Sequence, residues 1–159
     1  MTRTLRLAVA AMVTFATVPG PAGLAAGPTI ALGEAGRANA HVSAAADGRF
    51  VAATWAASSS GGATDIVAAV SRDGGLTFGS PVRVNAVPGD ARVNGEQPPR
   101  IALTPRPGTT PIITIVWTAR GAAGTRILQG LSKDGGRSFA PSVPVPDTDA
   151  PGNRGWEAV

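Results

Sequence analysis

The 159-residue chain carries 14 basic and 10 acidic residues, with 21 glycines, 14 prolines, no cysteine and no tyrosine. The lack of cysteine excludes disulfides, thiolate metal sites and lipid attachment through sulfur. Thirteen of the basic residues are Arg scattered singly, with no clustered basic face or aromatic interleaving of the kind that binds nucleic acid.

Along the chain, Arg3 and Arg6 flank the start of an apolar run over Leu5–Val18, followed by Pro19-Gly20-Pro21 and the small-residue stretch "AGLAAG". A basic start, a short apolar middle and small residues at the cut read as a secretory signal peptide over 1–26, with cleavage near Ala25 or Ala26. The run is too short for a membrane anchor and Pro19 interrupts it, so the expected protein is secreted, periplasmic or extracellular, with no membrane attachment after cleavage. Without Arg3 and Arg6, 12 basic residues face 10 acidic ones, a net charge of +2.

Residues 27–37 form a small-residue lead-in. Short β-rich runs then alternate with turn punctuation: Phe50–Ala56 after Asp47-Gly48, Asp65–Val70 after "SSSGGAT", and Val82–Asn85 before the long loop "AVPGDARVNGEQPP". Runs of this length bounded by Gly, Pro, Asn, Asp and Ser predict an antiparallel all-β fold. No window after the signal region sustains a helical apolar stripe.

The text also repeats. "SRDGGLTF" at Ser71–Phe78 returns as "SKDGGRSF" at Ser132–Phe139. Thr64-Asp65-Ile66 matches Thr125-Arg126-Ile127 at the same offset, Trp55 is echoed by Trp117, "PVRVN" by "SVPVP", and Val42 is aligned with Ile101. About four short strands per repeat is the blade of a β-propeller, with longer loops than the common 40–50-residue repeats. One blade is expected over about 38–90, a second over about 96–147, and the opening strand of a third over about 153–159.

The octapeptides share the pattern Ser-x-Asp-x-Gly-x-Thr-aromatic. On Ser71, Asp73, Gly75, Thr77 and Phe78, and again on Ser132, Asp134, Gly136, Ser138 and Phe139, the chain resembles the Asp-box, or bacterial neuraminidase repeat, of the sialidase-like β-propellers. The resemblance extends over nearly the whole chain after the signal region and implies a fragment of a six-bladed propeller, with the remaining blades beyond Val159. It also implies that the octapeptides lie on the outer side of the propeller. Their composition suits a hairpin turn between third and fourth strands. The Asp accepts backbone N–H groups, Gly75 and Gly136 take positive φ, the hydroxyls fasten nearby backbone, and Phe78 and Phe139 fill apolar space between sheets. A calcium loop would need further alternating oxygen ligands and a closing Glu, which "SRDGGLTF" lacks, so no metal site and no cofactor is expected.

Function should then sit at the opposite strand ends. Aligning "NAHVSA", "PPRIAL" and "GWEAV" superposes His41, Arg100 and Glu157 at the entrance of three inner strands, with Glu96 and Arg154 in the preceding loops. Such a set offers an Arg clamp for a carboxylate and Glu or His for acid/base work; alternatively each charge sits on a solvated loop. Trp55 and Trp117, read as ending the second strand of each unit, are expected to be packing residues. Asp47-Gly48 and Asn94-Gly95 are turn dipeptides.

The resemblance implies an exo-α-sialidase or related glycoside hydrolase acting on extracellular glycan. Family enzymes use a Tyr nucleophile and an arginine triad. This chain has no Tyr, and "PRIAL" keeps Arg-Ile without the following Pro of the family's first inner strand. No catalytic set is therefore assigned within these residues, and the chain alone is expected to be inactive. The alternative is a non-catalytic secreted propeller that binds glycan or protein partners.

Overall fold

The computed structural model describes residues 29–121, 124–146 and 148. Among them every regular element is a strand: β1 (Ala38–Asp47), β2 (Phe50–Ser58), β3 (Thr64–Ser71), β4 (Val82–Arg83), β5 (Arg100–Thr104), β6 (Ile112–Gly121), β7 (Gly124–Ser132) and β8 (Val143–Pro144). They form two four-stranded antiparallel sheets, each in chain order, β1-β2-β3-β4 and β5-β6-β7-β8. No helix among the described residues is long and apolar enough to cross a membrane.

The strand chemistry explains this layout. β6 is a run of β-branched residues and Trp, the composition that packs best on a pleated surface. β2 is buried along nearly its whole length, and its alanines leave room for close neighbours on both faces. The β1–β2 hairpin closes on two residues, with Gly48 at φ +58°, a torsion the tight two-residue turn demands. β2 and β6 run longer than the sequence suggested: Trp55 and Trp117 do not end their strands, which continue to Ser58 and Gly121. Ser58 and Thr64 close the end of the β2–β3 ladder through a 2.8 Å hydroxyl pair. β4 is shorter than expected. Beyond Val84, whose N–H donates to Ile66 O, the side chain of Asn85 takes the place of a strand partner and accepts from Ile66 N.

The sheets stack face to face. Phe50, Ala52, Ile66, Ala68 and Val84 from the first meet Ile113, Ile115, Trp117, Ala119 and Leu128 from the second in one buried cluster. The opposite face of the first sheet carries Trp55, Ala57, Val67 and Ala69, with Leu32 and Phe78 packed on it. Trp55 pairs with Val67 as Trp117 pairs with Leu128, so the two Trp residues are equivalent. The Trp face of the second sheet thus lies under the non-Trp face of the first. The sheets follow each other head to tail and do not mirror one another.

The connecting segment is shared by both sheets. Ala91 N donates to Thr64 O, while Arg92 N and Arg120 N exchange bonds with Thr118 O and Asp90 O. At the other end of the stack, Arg72 lies over the Phe50 ring and donates to Gly135 O at 3.0 Å. Between these ends the fit is close: a Cβ added to Gly130 would stand 2.7 Å from Val84 Cγ1 and 3.4 Å from the Trp117 ring. Gly130→Ala should therefore destabilise by about 1–3 kcal/mol, the usual range for overpacking, read as a lower melting temperature. A change near zero would mean that the sheets are less closely stacked than described.

Candidate functional site

The two octapeptides occupy the same place in each sheet, the loop between its third and fourth strands. In the first, Asp73 Oδ1 accepts from Ser71 Oγ (2.7 Å) and Thr77 N (2.9 Å), and Oδ2 from Thr77 Oγ1 (2.5 Å). In the second, Asp134 Oδ1 accepts from Ser132 Oγ (2.8 Å), Arg137 N (3.0 Å) and Ser138 N (3.1 Å), and Oδ2 from Ser138 Oγ (2.6 Å). Ser71 and Ser132, both buried, accept in turn from Gly75 N and Gly136 N. Gly75 (φ +93°) and Gly136 (φ +84°) adopt the left-handed backbone that closes the turn. A Cβ on Gly136 would meet Val70 Cγ2 of the first sheet at 2.5 Å. Phe139 packs on the cluster between the sheets and Phe78 on the Trp55 cluster.

Both carboxyls are held well below the ordinary carboxylate range, Asp73 chiefly by the Thr77 hydroxyl and then Ser71, Asp134 chiefly by the Ser138 hydroxyl and backbone N–H. Their oxygens already accept from within the loop, which leaves little capacity for a ligand. Among the described residues no three His, Asp or Glu side chains gather as a metal site.

The inner strands differ. β1 runs beside β5, and they carry His41 and Arg100. Register corrects the sequence alignment. Arg100 pairs with Val116 as Ser43 pairs with Thr54, and Val116 is the counterpart of Thr54. The equivalent of Arg100 is therefore Ser43, and that of Ile101 is Ala44, not Val42. The offset arises because β1 contains a bulge: His41 and Val42 together oppose Trp55 alone, between the pairs Ala40–Ala56 and Ser43–Thr54. His41 is the single non-glycine residue with positive φ (+59°) among the described residues. This is the left-handed bulge position that glycine ordinarily fills, and a side chain there costs about 1–2 kcal/mol.

His41 borders a groove of about 340 Å³ with Ile30, Leu32, Asn39, Val42 and Trp55. Val42 is 69% exposed, whereas Trp55 (3%) and Trp117 (0%) are buried. Trp55 Nε1 donates to Asn39 Oδ1 (2.9 Å), and the Asn39 amide also holds Glu34 O and Arg37 O. The lead-in is thereby fastened to the sheet. Arg100 and Glu96 are exposed, Glu96 in a turn whose N–H groups are accepted by Asn94 Oδ1. The remaining sequence candidates, Arg154 and Glu157, lie outside the described residues, as does the expected third-unit strand over 153–159.

Sequence reasoning missed a polar cluster at the shared end of the sheets. Buried Asp65 accepts from Arg37 Nη1 (2.7 Å), Asn85 Nδ2 (2.9 Å) and Gly89 N (2.7 Å). Asn85 Nδ2 also faces Val87 O and Asp90 Oδ1. Burial pushes the Asp65 carboxyl up, but the bonds from Gly89, Asn85 and Arg37 outweigh it and leave it below the ordinary value. Asp90, dominated by burial, is raised. The one available signal was that Asp65 replaces the Arg126 of the other repeat.

No known protein family matches the chain, and neither curated proteins nor solved structures show a significant match.

The depressed carboxyls set a pH dependence. A carboxyl lowered in the folded state contributes stability that is complete above its unfolded pKa near 3.9 and is lost as pH falls below it. Melting temperature should thus fall steeply below about pH 4. In the Asp73→Asn, Asp134→Asn double variant it should be lower at neutral pH and decline less on acidification. An unchanged pH profile would contradict the bonding described.

Proposed function

We propose that the chain is part of a secreted Asp-box β-propeller of the sialidase-like type, which engages extracellular glycan at the inner-strand ends and acts as an exo-α-sialidase or related glycoside hydrolase. One observation carries the reading. Two octapeptide turns with matching hydrogen bonds sit at the same loop of two four-stranded sheets, and those sheets stack in one head-to-tail sense. A repeat added with a fixed rotation forms a ring when the rotation closes, and four-stranded sheets repeated radially are propeller blades.

With the turns' carboxylates satisfied internally, the half-buried His41 on β1 and the exposed Arg100 on β5 are the better candidates for ligand contact. Arg100 offers a planar fork for a sugar carboxylate. The absence of tyrosine from all 159 residues favours a second reading for this chain, in which it binds glycan or a protein partner without turnover. Export follows from the tripartite pattern of residues 1–26.

The two readings separate in one assay on the complete protein, using a fluorogenic α-sialoside with a parallel binding measurement. Turnover supports the hydrolase, saturable binding without turnover supports the binding scaffold, and neither would overturn both for this sugar. Arg100→Ala should weaken sialoside binding roughly 10-fold or more, the usual loss for a charged hydrogen bond. Its melting temperature should be unchanged because the residue is exposed.

A further inference from the structure

We propose that the lead-in over residues 29–37 is a strap that closes the Trp55 face of the first sheet against a second copy of this chain. Once released, that face takes the non-Trp face of the second sheet of another molecule, head to tail. The inference depends on the stack of sheets and not on glycan binding.

Three observations carry it. The first is what covers each Trp face. Trp117 is buried under the first sheet. Among the described residues no sheet lies on the other Trp face, yet Trp55, Ala57, Val67 and Ala69 are at most 3% exposed. Leu32 of the strap and Phe78 of the octapeptide pack there instead. The strap thus stands where the stack would otherwise continue.

The second is that the strap's fastenings belong to the first sheet alone. Arg37 Nη1 donates to Asp65 Oδ2 at 2.7 Å, and Nη2 to Ala63 O at 3.3 Å. The second sheet has Arg126 at the place of Asp65, a cation that would repel Arg37. Trp55 Nε1 donates to Asn39 Oδ1, and the Asn39 amide donates to Glu34 O and Arg37 O. Its equivalent, the Trp117 indole nitrogen, is buried without a hydrogen-bond partner among the described residues. The first Trp face is fitted for a strap and the second for a sheet.

The third is that the chain carries both halves of its own stacking contact. The face that covers Trp117 includes Phe50, Ala52, Ile66 and Val84. Their counterparts in the second sheet are Ile112, Thr114, Ile127 and Val145, all half-buried. Val145 N donates to Ile127 O as Val84 N donates to Ile66 O. A contact between two different faces repeats from copy to copy, as a ring or an open series. The fit is looser than within the chain, because Ala69 stands at the place of Gly130, where a Cβ would meet Val84 at 2.7 Å. The strap's bonds are enough to exclude so loose a partner. A sheet that closes a ring on this face would have to displace the same strap.

The test is sedimentation velocity over a concentration series of the full chain, with residues 1–26 removed as export would remove them. The wild-type chain should remain monomeric across the series. Leu32→Ser weakens the strap's packing without touching the Asp65 cluster, and Arg37→Ala removes its ion pair. Each should keep a cooperative melt and associate at concentrations at least about tenfold below any at which the wild type does. Should Arg37→Ala unfold, Leu32→Ser alone decides. Adding Ile127→Asp, a charge on the opposing face, should return the variants to monomers.

Released-strap variants that fold and stay monomeric would overturn the proposal. So would association that survives Ile127→Asp, or a wild type that associates as readily as the variants. None of these outcomes bears on glycan binding by the protein.

Discussion

The head-to-tail stacking of the two sheets is the constraint on which the other features depend. Trp117 is fully buried because the non-Trp face of the first sheet covers it. That contact requires small or closely fitted residues on both sides, which is why Ala52 and Ala68 face Ile113 and Ile115 and why Gly130 sits under Val84. A mirrored pair of sheets could bury as much apolar surface. It would not place two copies of the same turn, or two copies of the same inner strand, side by side in one sense. Apolar burial supplies the larger part of the stabilisation, and the polar contacts fix the geometry: Arg72 on Gly135 at one end, and the shared 90–92 segment at the other.

From this stacking follows a division between the two ends of the strands. The loops after β3 and β7 hold Asp73 and Asp134 with nearly all their acceptor capacity directed inward. Such carboxylates stabilise a turn and are poorly placed to act as bases, since their protons are lost far below neutral pH. At β1 and β5 the situation is reversed. His41 and Arg100 have side chains that are not tied into the sheet, and one of them stands on a strained backbone. Chemistry that needs free donors has more to use at this second end.

Much of this architecture was legible because it repeats. Two copies of Ser-x-Asp-Gly-Gly and of the third strand at an offset of 61 residues, with two Trp residues 62 apart, give the four-strand unit and the hairpin position of each octapeptide. What was not legible depends on partners far apart in sequence. Asp65 draws on Arg37, Asn85 and Gly89, and none of these is marked by spacing or pattern. The bulge in β1 was hidden for another reason. Aligning "NAHVSA" with "PPRIAL" as text has no means of counting two residues against one, so His41 was matched to Arg100 when Ser43 is its counterpart. Asn85 ended β4 early by offering its amide as a substitute for a backbone partner, a competition that strand propensity does not register.

The order and sense of the stack can be measured without any ligand. Proton–proton Overhauser contacts report directly on which residues touch across the sheets. The structure predicts strong cross-peaks from the Val70 methyls to Gly136 Hα and from the Val84 methyls to Gly130 Hα and the Trp117 ring, since added Cβ atoms at these glycines fall within 2.5 and 2.7 Å of Val70 and Val84. Absence of both sets in a folded sample, or contacts joining Trp55 to Trp117 instead, would contradict head-to-tail stacking.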